Sequence, residues 1–169
     1  MTLKSIMTVI ANVVVVLGLS SCTSERLPKE ISSQQHEPSL VIVNVLDKEY
    51  FDDCRIKGSI NVPFIELKQY AQEHWNKDIT EIIIHCSNYS CGASTEGCKM
   101  LLALGFKYVW AFEGGTAEAK FAGIPVDGPC TESYINDYKK PEMYEQKESI
   151  PTISVEELKK KIEEFAIKI

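Results

Sequence analysis

Histidine is scarce in this chain, with three in 169 residues, and lysine and arginine never gather into a patch. With 18 basic against 24 acidic residues the net charge is −6. Without a basic patch, neither nucleic acid nor an anionic lipid surface is expected as an electrostatic partner. His36 lies in a polar stretch and His74 on an expected helix, so neither points to histidine chemistry. No internal repeat is present, which argues against a solenoid or array. No apolar run reaches the ~18 to 20 residues that a helix needs to cross a bilayer.

The longest apolar run, Ile6 to Leu19, is broken by Thr8, Asn12 and Gly18 and preceded by the single cation Lys4. That length and placement read as the apolar region of a secretory signal. It closes on "LSSC", Leu19 to Cys22, which resembles a bacterial lipobox. The resemblance implies cleavage before Cys22, lipid attachment to that cysteine, and a place in the cell envelope. Thr23 after the cysteine suggests the periplasmic side of the outer membrane in a bacterium with two membranes. Residues 1–21 are thus expected to be a lipoprotein signal, and residues 22–39 a polar, Pro/Ser/Gln-rich tether. Loss of Lys4 with the signal takes the net charge from −6 to −7.

The remainder alternates strands and helices. "LVIVNV" (Leu40–Val45) and "EIIIH" (Glu81–His85) are short β-branched runs of the kind buried on both faces of a parallel sheet. "KYVWAFEGG" reads as a third strand ending in a Gly-Gly turn. Between them, Phe64, Leu67, Ala71, His74 and Trp75 fall near one helical face. "STEGCKMLLALG" reads as a helix with Cys98 on its apolar side and Gly105 as its cap. The expectation is a single α/β domain, a parallel sheet flanked by helices.

Ligands of such sheets bind at the carboxyl ends of the strands, and Cys86 stands there, on a turn into a helix. Backbone N–H groups in such a turn stabilise an anion, which makes a thiol there a usable nucleophile, and Cys86 is expected to ionise at lower pH than Cys91, which starts the helix.

The series "NVLDKEYFDDCRIKGSINVP", "IIIHCSNYSCGAS", "LLALGFKYVWAFEGG" and "AGIPV" resembles a rhodanese-type sulfurtransferase domain over residues 40–128. The resemblance implies a rhodanese-like sheet and a persulfide on Cys86, in a loop where Ser87, Asn88, Tyr89, Ser90, Gly92 and Ala93 cradle the sulfur. It implies a small sulfur donor such as thiosulfate or polysulfide, a thiol acceptor, and no cofactor or metal. The chain departs from the family with Asn44 and Leu46 in its opening motif, and with Arg55, Lys57 and Ala119 at three further positions. The loop Cys86–Ser94 holds no Arg or Lys, and Gly92 stands where a phosphatase would carry its oxyanion-clamping Arg, so phosphatase chemistry is rejected.

Cys91 is either a resolving thiol for Cys86 or a half-buried packing residue. A zinc site from His85, Cys86 and Cys91 is disfavoured because strand alternation turns residues 85 and 86 to opposite faces. Cys54 or Cys130 is a candidate for a structural disulfide in an oxidising compartment, with the partner not legible. Arg55 either reaches the active face or covers surface. In residues 129–169, Ser154 and Glu157 form a capping-box pattern, followed by Val155, Leu158, Ile162, Phe165 and Ile169 at helical spacing. "ISVEEL" resembles the strand-turn-helix that opens a rhodanese domain, so this segment either docks back on the sheet or forms a separate amphipathic helix. Two functions follow: an envelope sulfurtransferase or thiol-redox protein working through Cys86 and Cys91, or a non-catalytic binding module.

Overall fold

The computed structural model describes residues 39–142 and 149–165. The signal, Cys22, His36, the tether as far as residue 38, and Ile169 lie outside them. The three apolar runs form β1 (Ser39–Asn44), β4 (Thr80–His85) and β5 (Tyr108–Phe112). With the short β3 (Ile60–Asn61) they make a parallel sheet in the order β3-β1-β4-β5. A second, two-stranded antiparallel ladder joins β2 (Arg55–Ile56) to β6 (Val126–Asp127).

Strand alternation divides the core. Val43, Ile82, Ile84, Cys86, Val109 and Ala111 turn to one face, against Leu67 and Ala71 of α2 (Leu67–His74) and Cys98 and Leu101 of α3 (Ala93–Ala103). Ile42, Ile83 and Phe112 turn to the other, against Ala119 and the C-terminal segment. His85 and Cys86 accordingly face opposite ways. The α2 helix begins later than its apolar pattern suggested, because Pro63 starts a turn that accepts from the Glu66 and Leu67 N–H groups. Phe64 and His74 are therefore exposed, and only Leu67 and Ala71 are buried. The α3 helix ends at the expected glycine. Gly105 has φ +89°, and its N–H donates to Leu102 O while that of Phe106 donates to Leu101 O.

Three short helices were not legible in the sequence: α1 (Lys48–Asp53), α4 (Gly115–Phe121) and α5 (Ser133–Asn136). The first buries no residue at all, so it leaves no apolar period to read. The last helix, α6 (Val155–Glu164), starts with both halves of the capping box in place. Just before it, Thr152 bridges Ala111 in parallel: the Ala111 N–H donates to Pro151 O and the Ile153 N–H to Ala111 O, at 3.0 and 3.1 Å. Ile153, Val155, Leu158 and Ile162 complete the second face of the sheet. Cys54 and Cys130 form a disulfide, which ties α1 to the segment leading into α5. No helix among the described residues is long and apolar enough to cross a membrane.

Candidate functional site

The loop between β4 and α3 rests on the turn that follows β5. Gly115, at φ +61°, brings that turn so close that a Cβ would stand 2.5 Å from Cys86 O and 2.6 Å from Ser87 O. Glycine is required there on both counts. The Thr116 and Ala117 N–H groups donate to Cys86 O and Ser87 O, both at 3.0 Å. His85, behind the loop, is wholly buried and held neutral, its pKa lowered to about 4 chiefly by burial.

Cys86 and Cys91 are free thiols close enough to perturb each other's ionisation. Cys86 is 0% exposed and packs with the α3 face of the core, while Cys91 is half-buried. The Cys86 sulfur lies 3.2 Å from Cys91 O and 3.5 Å from Ser94 Oγ. The expectation that Cys86 is the more acidic of the two is corrected. Contact with Cys91, then burial and the charge on Cys91, hold the Cys86 thiol well above its ordinary range, against opposing help from Ser94. The Cys91 thiol is lowered, first by the hydrogen bond from Cys86, then by the N–H groups of Ala93 and Ser87 and the Ser87 hydroxyl. The N–H groups at the loop's two ends converge on the sulfur further along the loop. A carbonyl oxygen against the Cys86 sulfur favours the protonated form there. Both shifts run in the direction that favours the charge of the pair on Cys91.

Alkylation should expose this order. Iodoacetamide is expected to modify Cys91 at pH 6 to 7, while Cys86 stays unmodified until alkaline pH. The check is peptide mass mapping across a pH series, and modification of Cys86 first would reverse the assignment.

Of the other loop residues, Ser87 and Ala93 turn toward the Cys91 sulfur. The Asn88 side chain shapes the turn by accepting from the Ser90 N–H at 3.0 Å. Ser90 and Gly92 are exposed. The Tyr89 hydroxyl donates to Glu118 Oε2 at 2.8 Å. Glu118 is almost wholly buried, and its other oxygen accepts from Lys140 at 3.2 Å. Burial and the Glu118 carboxylate push the Tyr89 phenol up. Neither Glu118 nor Lys140 stood out in the sequence, because their partners lie far away along the chain. Arg55 is turned to other use, its guanidinium over the Phe51 ring at 5.2 Å from the centroid. Beside the loop, Tyr89, Glu113, Gly114, Thr152, Ile153, Ser154 and Glu157 line a cleft of about 300 Å³.

A model of the rhodanese-like domain matches residues 27–121, which runs through β4 and the Cys86 loop and ends with α4. The chain belongs to the rhodanese-like domain family. The fold agrees. A solution structure of the rhodanese-like domain of an Anabaena sp. protein is similar at a TM-score of 0.50 and 21% identity, covering 70% of this chain and 83% of that one. A crystal structure of the Anabaena protein gives 0.50 and 24%, covering 60% and 77%. At these identities the likeness is one of fold. No curated protein matches the chain. In this rhodanese-like domain, everything after residue 121 lies beyond the family match, including Cys130, Lys140 and α6. The cleft beside the loop therefore takes part of its wall from outside that match.

Proposed function

We propose that the protein is a sulfurtransferase of the cell envelope that carries sulfane sulfur as a persulfide on the Cys86–Cys91 loop. The observation that carries this reading is a pair of free cysteines at the carboxyl end of β4, with the Cys86 sulfur 3.2 Å from Cys91 O and the Cys91 thiol held below its ordinary range. A thiolate attacks the outer sulfur of a donor, forming Cys–S–S⁻ and releasing the donor's remainder. The family resemblance puts the persulfide on Cys86. Burial of Cys86 and the charge on Cys91 support loading first on Cys91. The thiol-redox reading uses the same two atoms and is taken up below.

The donor is a low-molecular-weight persulfide or polysulfide rather than thiosulfate. The loop holds no cation, Lys140 is engaged by Glu118, and Glu113 and Glu157 line the neighbouring cleft. A dianion meets repulsion there without an Arg to clamp it. The reduced protein is expected to take up one sulfur atom from glutathione persulfide at least ~10-fold faster than from thiosulfate, about 1.4 kcal/mol in barrier. Intact-mass measurement follows the uptake. Cys91→Ser should abolish loading at neutral pH. Absence of loading from either donor would favour the non-catalytic module.

The lipid anchor belongs to the same proposal, supported by the run Ile6–Leu19 and the "LSSC" closing it. Cys22→Ser is expected to block processing and leave the protein unacylated, as read by metabolic labelling with palmitate. Label retained in that variant would refute the anchor.

A further inference from the structure

We infer that the two loop thiols form a device that reduces a captured sulfane sulfur to sulfide, with Cys86 closing a disulfide onto Cys91. The inference rests on the sulfur-loading reading above and specifies what becomes of the sulfur.

Three observations place the step. Cys86 has no exposed surface, so a bulky outside thiol has no approach to it, whereas Cys91 is partly exposed. The Cys86 sulfur lies 3.2 Å from the carbonyl oxygen of Cys91, so a persulfide on Cys91 is formed on the residue that Cys86 already packs against. The Cys86 thiol is held protonated, and its sulfur sits against the loop, 3.2 Å from Cys91 O and 3.5 Å from Ser94 Oγ. A neighbour already in contact reacts as though at very high concentration, with effective molarities up to about 10⁵–10⁸ M in well-oriented cases. An external acceptor at cellular concentrations competes poorly with it.

The step balances as follows. The Cys91 thiolate first attacks the outer sulfur of the donor persulfide RSSH. That sulfur's bond to the donor breaks, the donor leaves as the thiol RSH with the proton, and Cys91 is loaded as Cys91–Sγ–S⁻. The Cys86 sulfur then attacks Cys91 Sγ, forming the Cys86–Cys91 bond. The bond between Cys91 Sγ and the outer sulfur breaks, and its electron pair leaves with that sulfur. The Cys86 proton goes with it, so the product is HS⁻. The sulfane sulfur is reduced and the cysteine pair is oxidised to a disulfide. Each further turnover needs a protein or small-molecule dithiol to reduce that disulfide. Among the described residues the other free cysteine, Cys98, is wholly buried against Val109 O and Pro151 O and takes no part.

The experiment is a single turnover with full-length protein. Fully reduced protein is mixed with glutathione persulfide, desalted at once, and left without reductant. Sulfide is trapped with monobromobimane, and the protein is mapped by mass spectrometry. Wild type is expected to release about one sulfide per chain in step with appearance of the Cys86–Cys91 disulfide. The Cys86→Ser variant should hold its sulfur as a persulfide on Cys91 and release at least tenfold less. A wild-type persulfide that persists without sulfide or disulfide overturns the inference and leaves sulfur loading standing. Equal release from wild type and Cys86→Ser also overturns it. If neither protein takes up sulfur, the loading reading falls and this inference falls with it. The wild-type disulfide map decides the matter even if Cys86→Ser fails to fold.

Discussion

Leu158→Ala is expected to cost about 3 kcal/mol, and truncation after Lys147 to cost more. Leu158 is 0% exposed and sits among Ile42, Ile83 and Phe112 on the second face of the sheet. Shortening a wholly buried leucine removes its transfer free energy and leaves a cavity, typically 2–5 kcal/mol. For a domain of this size that lowers the melting temperature by about 10 °C. Truncation also removes Ile153, Val155 and Ile162, worth roughly 1.5–3 kcal/mol of burial each, and the backbone pairing of Thr152 with the β5 edge. Part of that gain is offset by the ordering entropy the shorter chain no longer loses. The truncated protein should bind an apolar dye, because Ile42, Ile83 and Phe112 lose their cover. A truncated chain that melts with the full one and binds no dye would show that α6 packs without contributing stability.

Removal of the Cys54–Cys130 disulfide in a double alanine variant is expected to cost about 4 kcal/mol. The two cysteines are separated by 76 positions, and closing so long a loop strongly restricts the unfolded chain. In the folded state the same junction has other ties. The Asp53 carboxylate accepts from the Thr131 hydroxyl and the N–H groups of Thr131 and Glu132, and the Cys130 N–H donates to Asp53 O at 2.8 Å. The Thr131 hydroxyl first, then the backbone donors, hold the Asp53 carboxyl below its usual range. These ties should keep the variant's native structure close to the parent's. The effect should therefore appear mainly as a lower urea midpoint, with little change in the rate of Cys91 alkylation. A midpoint unchanged between the oxidised protein and the variant would contradict this.

The central strands were legible because a strand buried on both faces needs an unbroken β-branched run, and Val41–Val43 and Ile82–Ile84 supply it. The caps at Gly105 and Ser154 were legible because each depends on residues within one turn. Where partners are distant the sequence was silent. Cys130 could be singled out as a disulfide candidate, but its pairing with Cys54 depends on the whole chain between them. Tyr89, Glu118 and Lys140 meet only because α4 and the segment after α5 come together beside the loop. The loop cysteines were found as a pair from their position after a strand. Their order of acidity was misjudged, because it depends on where the Ser87 and Ala93 N–H groups aim. A spacing of residues does not encode that direction.

The Cys54–Cys130 bond also decides how the chain answers a protease. Everything from β2 to β6, including the cysteine loop, lies inside one closed covalent ring. A single cut anywhere in that ring opens it without parting it: the nicked molecule runs as one species on a non-reducing gel and as two after reduction. The C-terminal helix lies outside the ring. A cut between Cys130 and Pro151 leaves α6 held by packing and hydrogen bonds alone, so dilution or mild denaturant would release it with every disulfide intact.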